Sequence, residues 1–527
     1  MQELISRLDE AADRGRDVVV LARTGLATAS WRDVAAEARS VAARLKRLGA
    51  AGGHVAVFGG PSIEMLSLIQ GVWRAGATLT HLPPPGRGWT LDGWLKRLRI
   101  SLAASPPDLL VVAPPFEQVA EGLHGLATRV VTGYQLMHLG RNHVAAEEVY
   151  RSTRPAIVQL TSGSTDTARA VQISEANLIS NLDDIYTVTE HDEAHDVLIS
   201  WLPLYHDMGL IGFCVLPMIT GCRLVLADPS SFTSRPSSWW ETVSRWSGTT
   251  TAAPSFAYSL AARSLKAARG LDLSSCRFSL CGGELVDAAA IELFLSAAAP
   301  RGLSRGAVVP AYGMAEATLA ISISPMRRGL RTAPCGPAPT SRMRPLLGPP
   351  LPSLQVTVLH EEGNQGGHEV GELAVKGASV TQGYTAAAAN AAAFTEDGWL
   401  RTGDLGRVID GEVQVVGRKK EIIIGGGENL NPADIEEAAT AVPGVRPGCV
   451  VAFPIQGRLG SEAVGIAFEQ SSDVLSTDLE QEVKQAVLGG VGVLPGQVVA
   501  VPLGAIPKTP SGKPQRLYAA KLFERKG

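Results

Sequence analysis

Two hydrophobic periods alternate through the early part of the chain, and that alternation most narrows the folds open to it. Val34, Ala38, Val41, Leu45 and Leu48 step by four, three, four and three, so they share one helical face that ends at Gly49. His54–Gly60 (HVAVFGG) follows as a short buried strand, and Pro61 opens a second helix through Ile63, Met65, Leu66, Leu68 and Ile69. Ala77–Pro85 (ATLTHLPPP) is a further strand, halted by three prolines. Strand–helix–strand order of this kind puts helices on the faces of a parallel sheet.

At 527 residues the chain is too long for one core and calls for several domains or subdomains. Its net charge of −3, from 48 basic and 51 acidic residues, argues against a nucleic-acid binder and favours a small-molecule enzyme. The six cysteines are scattered without a CxxC pair, which excludes a disulfide framework or structural zinc site as the organising device. The N-terminus is charged and shows no secretory signal, so a cytoplasmic location is expected. Leu210–Ala227 is apolar, but Pro217, Arg223 and Asp228 make it a buried helix running into a strand rather than a membrane span.

From Pro325 to Pro352 the chain is rich in proline and arginine (Arg327, Arg328, Arg331, Arg342, Arg344) and has no acidic residue. It reads as a long surface connection with solvated arginines; the sharper alternative is that some of them meet a phosphate of a ligand or carrier. After Gly417 a strand at Glu421–Ile424, a turn at 425–427, and a helix capped by Asn431 with Pro432 at its first position are expected. CVVAFPI, AVGIAFE and QVVAVPL add strands, with a helix around Thr477–Leu488, so this last part reads as a separate α+β domain.

Chemistry concentrates in short phrases. Gln159–Thr165 (QLTSGST) follows an apolar strand and offers hydroxyls and backbone N–H groups around a glycine, suited to phosphate oxygens, though not with Walker spacing. Trp201–Gly209 sets His206 among aromatic and apolar residues, and Cys281–Glu284 ends a strand with two glycines where a flat ring could approach. Ala311–Glu316 offers an aromatic face and a carboxylate able to hold Mg²⁺. Arg401–Asp404 places a carboxylate in a turn, suited to a sugar diol; Gly417–Lys420 sits at the domain junction, and Pro507–Lys513 presents a lysine on a Gly/Pro loop. Singly, each has an ordinary reading: His206 as a core histidine, Asp404 as an Asx-turn residue, Lys513 as a solvated tail lysine.

Together and in this order, the phrases resemble the adenylate-forming superfamily of acyl-CoA synthetases, luciferases and peptide-synthetase adenylation domains, over nearly the whole chain. WLPLYHDMGLIG (Trp201–Gly212), TAAPSFAYSL (Thr251–Leu260), YGMAEATL (Tyr312–Leu319) and AGATLTHLPPP most resemble the fatty acyl-AMP ligases. The resemblance implies an α/β plus α+β fold: a large N-terminal adenylating domain (1–417) of helix-flanked, largely parallel sheets with a β-rich subdomain, a hinge (418–420), and a small mobile C-terminal lid (421–527). It also implies ATP and Mg²⁺ as cofactors. Thr161, Ser162, Gly163, Ser164 and Thr165 would bind phosphates. Gly282, Gly283, Glu284, Tyr312, Gly313 and Met314 would form the adenine slot, with Tyr312 stacking on the base. Glu316 would ligate Mg²⁺, and Asp404 and Arg418 would hold the ribose. Tyr205, His206, Met208, Ser255, Phe256, Cys281 and Met314 would line the acyl pocket. Lys420 would be the hinge and Lys513 the catalytic lysine bridging the substrate carboxylate and α-phosphate, with His206 and Glu316 completing the catalytic set.

Departures from the family pattern fall in the phosphate loop, where Asp166-Thr167-Ala168-Arg169-Ala170 replaces a glycine- and lysine-containing stretch; arginine still binds phosphate. Ala315 stands where threonine is common in the superfamily. Gly425–Asn429 is similar to the loop of CoA-using synthetases, so the acceptor stays open between CoA, the phosphopantetheine of an acyl carrier protein, or none, with the adenylate passed to a partner acyl-transfer enzyme. Trp239, Trp240, Phe256, Tyr258, Met208 and Met314 favour a hydrophobic acid over an amino acid. The expected activity is ATP-dependent activation of such an acid in lipid or secondary-metabolite biosynthesis. A complete acyl-CoA synthetase and a catalytically silent ligand-binding relative are the alternatives.

Overall fold

The computed structural model describes residues 1–22, 25–85, 90–139, 154–161, 169–335, 342–360, 370–425, 428–456, 462–471, 478–508 and 514–524. Two twisted sheets dominate. The larger has eight strands, running in space from Ala320–Ile323 through Val308–Gly313, Phe278–Cys281, Thr250–Ala253, Val197–Ser200, Arg223–Ala227 and Asp17–Ala22 to Gly25–Ser30. Its interior pairs are parallel, and only the two edge pairs are antiparallel. The six-stranded sheet is ordered Arg129–Thr132, Leu109–Val112, His54–Phe58, Thr78–His81, Ile157–Leu160 and Ala170–Ile173, parallel except for the last pair. His54–Phe58 and Leu109–Val112 are buried at every position, as strands covered on both faces must be, which is why they read as unbroken apolar runs.

The helix Trp31–Arg47 buries the expected stripe (Val34, Ala38, Val41, Leu45) and starts with a capping box between Ser30 and Asp33. Its neighbour Ile63–Arg74 begins two residues after Pro61: Ser62 is the cap, its Oγ accepting from the Met65 N–H at 3.0 Å. The two helices meet at Gly71, where an added Cβ would stand 2.5 Å from Val41 Cγ1. Leu210–Ala227 is buried as expected, as a π-helix (Met208–Val215), a short α-helix (Leu216–Thr220) and a strand. Among the described residues no helix is long and apolar enough to cross a membrane.

A four-stranded antiparallel sheet (Leu354–Leu359, Gly371–Gly377, Leu400–Ile409, Glu412–Arg418) follows. It corrects one expectation: Asp404 lies inside a strand, opposite Arg418, rather than in a turn. The Pro/Arg-rich stretch is corrected as well. It contains a hairpin (Thr332–Cys335 with Arg342–Pro345), and four of its five arginines meet carboxylates, Arg327 while still largely exposed to water. Arg331 pairs with Glu412, Arg327 with Glu190 at 2.6 Å, Arg342 with Glu437 at 3.1 Å, and the buried Arg344 with Asp434.

The smaller C-terminal unit has a three-stranded sheet (Val445–Gln456, Glu462–Gln470, Gln497–Val501) packed by helices Pro432–Thr440 and Leu479–Val491. Asn431 caps the first of these as expected. The strand expected at Glu421–Ile424 begins only at Ile423, because Lys419–Glu421 forms a 3₁₀ turn. The apolar cores divide in the same place. Clusters built on the two large sheets reach Val415, and those of the C-terminal unit begin at Ile423.

Candidate active site

A cavity of about 1370 Å³ opens where the parallel strands end at their carboxyl edges. This is the edge at which open α/β sheets bind ligands, because the loops leaving the strands diverge there. Thr161, Tyr205, His206, Met208, Ser255 and Phe256 line it, as do Gly282–Glu284, Tyr312–Met314, Glu316, Asp404, Arg418 and Lys420. The fold thus gathers residues scattered over some 260 positions. Ser162, Gly163, Ser164, Thr165 and Lys513 lie outside the described residues. Thr161 and Arg169, the described residues to either side of the first four, both line the cavity, and the Thr161 backbone N–H donates to the Arg169 carbonyl at 2.9 Å.

On the nucleotide side, Gly283 adopts φ +81°, the left-handed region open to glycine, and turns the chain after strand Phe278–Cys281. Gly313 is equally constrained: a Cβ there would stand 1.9 Å from the Leu319 carbonyl oxygen. The Tyr312 hydroxyl donates to Asp404 Oδ2 at 2.7 Å, and Arg418 Nε lies 3.1 Å from Oδ1. Asp404 therefore fastens an aromatic face and a guanidinium to one wall. Burial pushes the Tyr312 phenol well up, and the Asp404 carboxylate raises Arg418 further. Glu284 turns toward the acyl side, its Oε1 accepting from the Phe256 N–H at 3.0 Å.

Glu316 sits in the buried 3₁₀ turn Ala315–Ala317. Burial raises its carboxyl above the ordinary range, opposed first by the Tyr384 hydroxyl, donating to Oε1 at 2.8 Å, and more weakly by a backbone N–H and the more distant Arg418 charge. No cation stands within ion-pair distance of Glu316 among the described residues. A buried carboxylate without a counter-cation fits Mg²⁺, which takes one or two protein carboxylates and completes its shell with phosphates and water. Tyr384 is the site residue that sequence reasoning missed. It stands in Gln382-Gly383-Tyr384, where nothing in the local pattern marks it, and only the fold brings it to Glu316. Arg169 Nη1 donates to the same hydroxyl at 3.2 Å, with its guanidinium carbon 5.1 Å from the ring centroid. The phosphate-loop arginine and the Glu316 carboxylate thus share one phenol.

On the acyl side, His206 is half-buried, with Nδ1 2.6 Å from Asp207 Oδ1 and 3.4 Å from the Met208 backbone N. It is no sealed core histidine. Tyr205 is positioned by Gln159, whose Nε2 donates to its carbonyl at 2.8 Å, and burial pushes its phenol up to about 12. Ser255 Oγ accepts from the Asp287 N–H at 3.0 Å. Cys281 is corrected: it lies behind the wall, fully buried, with Sγ 3.4 Å from Ser255 Oγ, and Leu280 takes the cavity face. Successive strand residues point to opposite faces, so only one of the two can line the pocket. Lys420 sits at the cavity mouth in the turn Lys419–Glu421, directly after strand Glu412–Arg418.

The family model for AMP-binding enzymes matches residues 8–385. Rv1013 of Mycobacterium tuberculosis, named as a ligase, is 36% identical over 521 residues, covering 94% of this chain and 94% of its own. The long-chain-fatty-acid–AMP ligase FadD26 of Mycobacterium marinum is 31% identical over 545 residues, covering 95% of this chain and 92% of its own. A structure from a study of fatty acyl-adenylate ligases of E. coli and L. pneumophila superposes with a TM-score of 0.88 at 26% identity, covering 99% of this chain and 97% of that one. Sequence, architecture and cavity agree: the chain belongs to the AMP-binding enzyme family, and it is an adenylate-forming ligase.

Proposed function

We propose that this ligase joins a hydrophobic carboxylic acid, of the fatty-acid class, to AMP and passes the acyl group on to a thiol. The observation that carries the reading is one continuous cavity with the Tyr312–Asp404–Arg418 group and Glu316 at one side and an apolar wall at the other. Adenylate-forming enzymes use ATP and generally Mg²⁺. A carboxylic acid with a pKa of about 4 is already ionised at neutral pH, so attack on the α-phosphorus needs no general base. The obstacle is bringing an anion to a polyanion.

Glu316 would hold Mg²⁺, which supplies neutralising charge as pyrophosphate departs. Asp404 and Arg418 would hold the ribose hydroxyls, and Gly282, Gly283, Glu284, Tyr312, Gly313 and Met314 would enclose the adenine. Thr161 through Thr165, with Arg169, would surround the phosphates. His206 would border the α-phosphate and the acyl chain, and Lys513 would bridge the two reacting anions. Residues 421–527 would form the lid that delivers Lys513, turning about Lys420. The acceptor we favour is a carrier-protein phosphopantetheine. A complete CoA synthetase is the second reading, supported by the likeness of Gly425–Asn429 to CoA-using loops.

Mass spectrometry of the protein with MgATP, fatty, aryl and polycyclic acids, and CoA tests both halves. Acyl-AMP that persists in CoA supports the first reading, acyl-CoA the second, and no adenylate from any acid refutes both. Lys513→Ala should lower adenylate formation roughly a hundred- to thousand-fold while leaving the thermal midpoint unchanged.

A further inference from the structure

Beyond the site just described, the cavity continues along the eight-stranded sheet, beneath the π-helix Met208–Val215. Phe213, Leu216, Leu198, Phe278 and Leu280 give it apolar walls. Ser255, just beyond the carboxyl end of strand Thr250–Ala253 where the next helix starts, lines it, and Thr250, at the amino end of that strand, lines it again. With a strand rise of about 3.3 Å per residue, these two points are about 16 Å apart. This apolar passage does not end on an apolar floor. Thr189, His191 and Thr250, all buried, line its far end.

His191 is the unusual member. Its side chain is 2% exposed, and Nδ1 lies 3.2 Å from Asp196 Oδ2. Asp196 also accepts from Thr249 Oγ1 at 2.7 Å and Arg277 Nε at 2.9 Å. Burial alone would raise the Asp196 carboxyl, but the bonds from His191, Arg277 and Thr249 win and hold it well below the usual carboxylate range. The carboxylate is thus a fixed acceptor, and it places the proton of the neutral imidazole on Nδ1. Nε2 is then a buried acceptor, and it has no hydrogen-bond partner among the described residues. Such an atom destabilises the fold unless something donates to it.

On the reading that the cavity holds the acyl chain, we propose that His191 recognises a hydroxyl group carried at the end of the acid remote from its carboxylate. A substrate hydroxyl donates to Nε2, while Thr250 beside it offers a second polar contact. An unsubstituted alkyl end leaves the imidazole unpaired, so the floor discriminates by what the wrong acid fails to satisfy. Sites built around a buried polar group reject the analogue lacking its partner far more strongly than apolar pockets reject an extra methylene.

The test uses straight-chain acids of graded length, each paired with its ω-hydroxy counterpart, and phenylalkanoic acids paired with their para-hydroxy counterparts. At the length that reaches the floor, kcat/KM for adenylate formation should favour the hydroxy acid by about ten- to a hundredfold. His191→Leu should bring that ratio close to one, lowering the hydroxy acid and raising the plain one. The fold should tolerate this change, because Asp196 keeps Arg277 and Thr249; Thr250→Val, which should reduce the ratio severalfold, is the independent second variant. A ratio near one at every length in the unaltered protein, or a ratio unmoved by His191→Leu, overturns the proposal and means that a bound water satisfies Nε2. Calorimetric titration with the same pairs reads the tunnel without turnover. A binding preference that persists where no adenylate forms refutes the ligase reading and leaves the floor assignment standing.

Discussion

Asp404 and Glu316 are buried carboxylates on the same cavity, and they are held in opposite ways. Asp404 has a phenol on one oxygen and a guanidinium on the other. Glu316 has a phenol and a backbone N–H but no ion-pair partner among the described residues, Arg418 acting on it only from a distance, and burial raises its carboxyl. A carboxylate whose charge is already met serves to position its neighbours; one stripped of water and given no cation is poised to take one from outside. The first difference to expect is therefore in the sign of their effects on stability.

Glu316→Gln should be the largest. It removes the metal-binding charge, and adenylate formation should fall roughly a hundred- to thousand-fold with loss of its Mg²⁺ dependence. Because the folded carboxyl is raised above its unfolded value, the ionised form is disfavoured in the fold, and stability is lost as pH rises through the folded pKa. The amide keeps the acceptor for Tyr384 and drops that cost, so the thermal midpoint at neutral pH should hold or rise. Asp404→Asn should act the other way. It leaves Arg418 without its carboxylate, raises KM for ATP about ten- to a hundredfold, and lowers the thermal midpoint. If both variants destabilise, or both leave stability alone, the contrast fails.

Tyr384→Phe sharpens the same comparison at smaller magnitude. Its hydroxyl lowers the Glu316 carboxyl against the effect of burial, so removing it should move the acid limb of kcat/KM for ATP to higher pH. Near neutral pH the rate should drop by about tenfold, since one neutral hydrogen bond to a charged group is lost. Raising Mg²⁺ should move the limb back down, because metal and proton compete for one carboxylate. A pH profile identical to that of the unaltered enzyme would separate Tyr384 from the metal site.

The parts of this arrangement differ in how far they could be seen in advance. The helix stripe from Val34 to Leu45, the doubly buried strands and the Asn431–Pro432 helix start are local: period and capping chemistry sit within a few residues. Glu316 and Asp404 were readable because their phrases are short and ordered. Asp404's strand setting was hidden, since Arg401-Thr402-Gly403 has turn composition, Gly403 keeps a left-handed φ of +72°, and only distant pairing, Arg401 with Ala374 and Asp404 with Arg418, carries the strand through. Tyr384 and His191 were invisible for another reason. Each matters through one atom whose partner lies far away in the chain, Glu316 for the first and the tunnel floor for the second. The Arg342–Arg344 hairpin was misread because its acidic partners, Asp434 and Glu437, lie about ninety residues further on.

Those hairpin pairs extend the comparison to charges that join the hairpin to helix Pro432–Thr440, with Arg344 and Glu437 on the rim of the same cavity. Arg342 is partly exposed and Glu437 half-exposed, so their pair should contribute no more than about 1 kcal/mol. Arg344 is buried and reaches Asp434, so Arg344→Ala removes more. Neither touches the Tyr312–Asp404–Arg418 group or Glu316, and adenylate formation should change by less than about threefold in either variant. What should change is the hold on helix Pro432–Thr440. Backbone hydrogen exchange of residues 432–440 should speed up in Arg344→Ala, less in Arg342→Ala, and in the unaltered protein as salt is raised, since screening weakens the exposed pair first. If exchange there is indifferent to both substitutions and to salt, the hairpin is a surface ornament, and the C-terminal unit is held by its other contacts alone.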